Sequence, residues 1–135
     1  MQTLRNLIAA IGLVAGFCNA WAQSSLQWSE SDNGADVSWS EAGSYCASKG
    51  NGWRLPTGDE LLGLFNSSQS TPCGSANGLQ YTCRISSKFH LSGPWLWTNE
   101  ASGAANAAYV NFDVGGKYAI PSTLRKGDRA LCVHG

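Results

Sequence analysis

The sequence predicts an α+β fold: two helices packed on short, mostly antiparallel strands, with two disulfides. Three observations carry this. Ser38 with Glu41 and Thr57 with Glu60 each fit a capping box, in which a hydroxyl and a glutamate reciprocally satisfy the free N–H groups that open a helix. The second half is a series of short β-rich runs separated by glycine and small-residue turns. Four cysteines lie beyond the N-terminal segment, an even number in a small chain.

The N-terminus reads as a targeting segment. Arg5 supplies a positive start, Leu7 to Phe17 is apolar and uncharged, and Ala20-Trp21-Ala22 is a small-x-small cleavage site. The apolar run is too short for a comfortable membrane span. A lipoprotein reading centred on Cys18 is the rival, and Phe17 stands where such a signal wants a small side chain. Residues 1–22 are therefore expected to be a signal peptide and residues 23–135 a single soluble domain, periplasmic or secreted, with no membrane span in the mature chain.

Removing Arg5 leaves eight basic against nine acidic side chains. That balance excludes the basic excess of a nucleic-acid binder. Trp28, Trp39, Trp53, Trp95 and Trp97 argue for a packed core rather than a disordered tail. Disulfides are the expected use of Cys46, Cys73, Cys83 and Cys132, with three pairings open. Cys73 and Cys83 flank nine residues containing Gly and Asn and are expected to pair locally, leaving Cys46 with Cys132. Chain entropy gives about 3 kcal/mol for the short loop and about 4.5 kcal/mol for the long one. Zinc competes poorly, because no C-x-x-C pair is present and His90 and His134 are far apart.

In chain order, Leu26–Trp28 reads as a first strand and Ser29–Asp36 as a loop. A helix follows from about Trp39 to Lys49, with Trp39, Ala42, Tyr45 and Cys46 on its apolar face and Gly50 and Gly52 as its stop. Trp53-Arg54-Leu55 is extended, because Pro56 biases its predecessor away from the helical region. The second helix opens at Thr57 and is expected to end near Phe65 and Asn66, burying Leu61, Leu64 and Phe65. Trp53, Leu55, Leu61 and Phe65 are the expected core. Asn66–Ser75 reads as a loop; Asn66-Ser67-Ser68 matches a glycosylation acceptor but fits loop composition as well. Strands are expected over Leu79–Ile85, Pro94–Thr98, Ala108–Phe112, Lys117–Ile120 and Arg129–Val133, with turns at Ser102–Asn106 and Gly115-Gly116.

Three stretches carry a family resemblance: Trp39-Ser40-Glu41-Ala42-Gly43-Ser44-Tyr45-Cys46; Gly52-Trp53-Arg54-Leu55-Pro56-Thr57 with Glu60-Leu61; and Trp97-Thr98-Asn99-Glu100 followed by Ala108–Phe112 and Leu131-Cys132-Val133. Together they span nearly all of the mature chain. The pattern resembles a C-type-lectin-like fold, and more closely the bacterial family typified by the C-terminal domain of the Legionella collagen-like adhesin. The resemblance implies an exported binding domain, since that adhesin is linked to sulfated polysaccharides and attachment. The sequence departs from it in carrying no collagen-like stalk, and so lacks that source of multivalency.

The resemblance also brings chemistries to test. Calcium-dependent lectins need a cluster of oxygen ligands. Trp97-Thr98-Asn99-Glu100 only loosely echoes their pattern and the proline motif is missing, so no metal or other cofactor is expected. Formylglycine-generating enzymes share the broad fold and use a reactive cysteine pair, but are much longer, and here the cysteines are committed to disulfides. No serine sits in a nucleophile elbow. Sequence alone leaves paired carboxylates open, although Glu41 and Glu60 are assigned to caps and Asp59 to the first helical turn. Arg54 is expected to be structural, pairing with a carboxylate or with helix carbonyls.

The expectation is thus a non-enzymatic domain recognising an extracellular or cell-surface glycan. The alternative is a periplasmic protein-binding factor: an inhibitor, an immunity protein or a subunit of a surface assembly. Ligand contacts are expected on irregular surface. One group is Asn99, Glu100 and Asn106 with the Ser102–Asn106 turn. A second, suited to sulfate or carboxylate, is Arg84 and Lys88 with His90 beside them. Arg125, Lys126 and Arg129 form another small basic group, diluted by Asp128.

Overall fold

The computed structural model describes residues 26–135, and the expected signal peptide lies outside them. The elements are β1 (Gln27–Trp28), α1 (Trp39–Ala47), β2 (Trp53–Arg54), α2 (Gly58–Leu62), β3 (Thr71–Ala76), β4 (Leu79–Cys83), β5 (Trp95–Ser102), β6 (Asn106–Asn111), β7 (Gly116–Pro121), β8 (Asp128–Arg129) and β9 (Val133–His134). Three sheets result, ordered β1-β9-β2, β3-β4 and β7-β6-β5-β8. All strand pairs are antiparallel except β5 with β8.

Both capping boxes form. Ser38 Oγ accepts from the Glu41 N–H, and the Glu41 carboxylate accepts from the Ser38 N–H. Thr57 and Glu60 repeat the arrangement at α2. The second helix is shorter than expected and ends at Leu62, not near Phe65. Gly63 caps it, and the Leu64 and Phe65 N–H groups turn back to Leu61 and Leu62 in tight three-residue bonds. The chain is then free to reach Arg84, whose carbonyl accepts from the Asn66 N–H.

The expected loop Asn66–Ser75 is in part a strand. Thr71–Ala76 pairs with Leu79–Cys83 across Asn77-Gly78, both with positive φ (54° and 77°). Two left-handed residues are what a two-residue primed hairpin turn needs, and Asn-Gly is its preferred sequence. The expected single strand Arg129–Val133 is divided. Asp128–Arg129 lies parallel to β5, while Val133–His134 fits between β1 and β2. Ala130 to Cys132 cross between the sheets, fully buried, and their backbone groups are partly satisfied from the Ser29–Asn33 segment: Ser29 donates to the Cys132 carbonyl and Asn33 to that of Ala130, while their side chains accept from the same two residues.

β5 divides the core by its period-two alternation. Leu96 faces one cluster with Leu61, Ile85, Val110, Phe112 and Leu131. Trp97 faces another with Ala42, Cys46, Leu55, Ala107 and Cys132. Trp97 is fully buried, and its indole N–H donates to the Val37 carbonyl at 2.8 Å. Leu55 and Leu61 are core as expected. Trp53 and Phe65 are only half-buried and pack at the margins. Both expected disulfides are present, Cys46–Cys132 and Cys73–Cys83. The first ties α1 to the end of the chain. Such bonds belong to proteins that fold in an oxidising compartment. Among the described residues, no helix is long and apolar enough to cross a membrane.

Candidate functional site

A groove of about 370 Å³ runs between α1 and β2. Its α1 wall is Trp39, Ser40, Gly43 and Ala47; the opposite wall is Trp53, Arg54 and Leu55, with Asn99 at the rim. The helix makes this opening by sequence. Trp39, Gly43 and Ala47 recur at i, i+4 and i+8, so one stripe narrows from an indole to no side chain to a methyl. A Cβ placed on Gly43 meets nothing within 4 Å. The buried stripe, Ala42 and Cys46, holds the helix down on Trp97 and Cys132.

The aromatic walls are fixed in place. The Trp39 indole N–H donates to the Thr98 carbonyl at 2.7 Å, which pins one ring edge. The Trp53 ring lies 5.4 Å from that of His134. Gly52 makes this approach feasible: its φ is +87°, and a Cβ there would sit 2.6 Å from the His134 ring nitrogen. Lys49 Nζ stands 5.2 Å from the Tyr45 ring centre and 5.9 Å from that of Trp53.

Arg54, the charged side chain in the lining of the groove, is already paired. Arg54 makes a fork to Glu60, two bonds of 2.9 Å, and a third of 3.0 Å to the Gly135 carbonyl. This is the structural role expected of Arg54. The hydrogen bonds from Arg54 hold the Glu60 carboxyl below the usual range, and Glu60 in turn raises Arg54. Glu41 does the same at the other box: it caps α1 and holds Arg125 through bonds of 2.7 and 2.9 Å. Arg125, then the Ser38 N–H, bring the Glu41 carboxyl to about 2. Each capping glutamate thus also anchors an arginine brought from a distance or across a turn.

Of the five expected ligand residues, Asn99 alone lines the groove. It is exposed, and its backbone N–H donates to Pro56. Glu100 accepts from the Gly58 N–H and from Lys117 Nζ, both at 2.9 Å, and those donors hold its carboxyl below the usual range. Asn106 is exposed at the far end of the β5–β6 hairpin, paired in register with Ser102. Arg84 Nη1 reaches the Gln69 carbonyl at 3.3 Å, whereas Lys88 Nζ lies 5.3 Å from the Phe89 ring centre. No hydrogen bond joins these two bases or brings them to Asn99. Sequence reasoning did not find the Trp39–Gly43–Ala47 stripe as a site; the signal was the i, i+4, i+8 spacing itself.

A second cleft of about 500 Å³ adjoins the groove and shares Trp39 and Ser40 with it. Ser38, Ser122, Thr123 and Arg125 complete its lining. Among the described residues no group of three or more His, Cys, Asp or Glu side chains converges as a metal site.

Two capped helices on short, mostly antiparallel sheets, cross-tied by disulfides and open along one aromatic groove, define a small disulfide-bonded α+β scaffold. Residues 22–134 match the Lcl C-terminal domain family, and the chain belongs to it. It is therefore an adhesin-related binding domain. No curated protein matches the sequence.

Proposed function

We propose that this is an exported, non-enzymatic domain with a C-type-lectin-like fold, and that it recognises a neutral glycan in the groove between Trp39 and Trp53. The observation that carries the reading is the combination of two positioned indoles with an apolar lining whose charged side chain, Arg54, is already paired. Sugar rings present an apolar C–H face that packs on an aromatic ring, and hydroxyls that bond to neutral partners such as Asn99 and Ser40. An anionic ligand would instead have to compete with Glu60 for Arg54. The lectin-like reading of the fold is supported by the pairing of β1 with β9 and by the Cys46–Cys132 tie between the first helix and the chain end. The absence of catalysis is supported by the commitment of Glu41, Glu60 and Glu100 to caps and ion pairs. Cleavage near Ala22 would release the domain to the periplasm or the exterior.

A glycan array probed at 50 mM and 500 mM salt tests this. Hits on neutral glycans that persist at high salt support it, because binding without free charges is not screened. Hits confined to sulfated or carboxylated glycans and lost at high salt would move the site to bases such as Arg84 and Lys88. The alternative, a protein-binding factor, is favoured by one feature: Leu79, 69 % exposed beside the turn of the β3–β4 hairpin. A protein captured from periplasmic extract by the wild type and not by Leu79→Asp would support it.

A further inference from the structure

The groove does not end at Trp39. It meets the second cleft there, and the two share Trp39 and Ser40 while differing in lining. One side offers indole, methyl and a bare helix backbone. The other offers hydroxyls and one guanidinium. Resting on the glycan reading, we infer that the ligand is a chain of at least two sugar rings laid across the Trp39 indole, one ring in the apolar groove and the next in the hydroxyl-lined cleft.

The ridge between the two is rigid. Trp39 opens α1, its backbone N–H donates to the Ser122 carbonyl at 3.0 Å, and its ring N–H is held by Thr98. A ring fixed at both ends binds without losing side-chain freedom, so stacking there costs little entropy. Ser40 lies on the shared border, exposed, and its hydroxyl makes no hydrogen bond to another described residue.

The cleft beyond has the groups a second ring would use. Thr123 is exposed and its hydroxyl bonds to no described residue. Ser122 is held through its backbone, with its N–H donating to the Ala105 carbonyl at 2.9 Å; its hydroxyl donates to the same carbonyl at 3.2 Å and keeps its lone pairs to accept from a sugar hydroxyl. Arg125 gives Nε and Nη2 to Glu41, which leaves Nη1 for a sugar oxygen. The pair stays neutral as a unit, so an uncharged second ring matches it better than a sulfate, which Glu41 would repel.

The test is a chain-length series: mono- to tetrasaccharides of glucose, N-acetylglucosamine, mannose and galactose, titrated into the full domain by calorimetry. The expected result is at least a tenfold gain in affinity from one to three rings in one series. The double variant Ser122→Ala, Thr123→Ala should lose that gain, melt close to wild type because only one long, exposed hydrogen bond is removed, and bind the single ring unchanged. If a monosaccharide binds as tightly as its trimer, or the double variant keeps the full gain, the two-groove inference is overturned and the glycan reading stands. If no member of any series binds, both fall together.

Discussion

Asp128 is the most informative single side chain for the stability of this domain. It lies on β8, 1 % exposed, and its Oδ2 has no hydrogen-bond partner among the described residues. Burial first, and then the nearby Asp36 carboxylate, push its pKa up from 3.8 to about 7. The folded chain therefore keeps a proton that the unfolded chain has released between about pH 4 and pH 7. Stability must fall as pH rises through that window, and the loss is complete above the folded value. Three units at about 1.4 kcal/mol each give about 4 kcal/mol as the upper figure. Local relaxation and water entry around the carboxylate reduce this toward about 2 kcal/mol. Asp128→Asn keeps the shape and removes the charge. At pH 5 about two of those units remain, so chemical denaturation at pH 5 and pH 8.5 should find wild type about 1–3 kcal/mol weaker at the higher pH, and the variant nearly level. A wild type whose stability is flat from pH 5 to 8.5 would refute this reasoning, as would a variant that is equally destabilised at both.

Glu60 and Glu100 slope the other way. Their carboxyls are held below the usual range, so their contribution is present above about pH 4.5 and is lost on acidification, which places the optimum between the two effects, near pH 4.5–5. A melting profile across pH 3 to 8 shows it; an optimum above pH 7 would contradict it. Thr57→Ala should cost about 1 kcal/mol. Combined with Glu60→Ala it should cost less than the sum, because the two side chains bond each other's backbone N–H groups; strict additivity would deny the reciprocal box. Trp97→Ala should cost about 3–5 kcal/mol or prevent folding, and Trp53→Ala clearly less, because only the first ring is fully enclosed. Equal losses in urea denaturation would mean that Trp53 is the true centre.

The local signals in the sequence were strong wherever they were self-contained. Both capping boxes need only four adjacent residues, and both helix starts follow from them. The Cys73–Cys83 link follows from a short intervening loop, and the other pairing from what remains. The Asn77-Gly78 turn was equally local and carried a hairpin that loop composition around it concealed. Less legible was anything set by partners distant in sequence. Arg129 to Val133 alternates like one strand, but β5 claims its beginning and β1 with β2 claim its end. Trp53 and Trp97 are the same residue type in similar extended runs. Only the placement of α1 and Val37 over one face of β5 decides which is enclosed. The site suffers most from this limit. Asn99 was found as loop chemistry, yet the groove beside it depends on Gly43, whose lack of a side chain reads in sequence as a weak point of a helix.

Gly43 also provides the most direct measurement. A leucine introduced at 43 meets no atom within 4 Å of its Cβ, and its side chain leans toward the N-terminal turn, over the Trp39 side of the groove. Replacing glycine by a good helix former inside a helix should stabilise by roughly 0.5–1 kcal/mol. Calorimetric titration of Gly43→Leu with the neutral glycan that binds wild type most tightly, alongside its melting curve, separates binding from folding. The account predicts a melting temperature at or above that of wild type and an affinity at least tenfold weaker. A stable Gly43→Leu protein that binds this glycan as wild type does would contradict the placement of the site between Trp39 and Trp53.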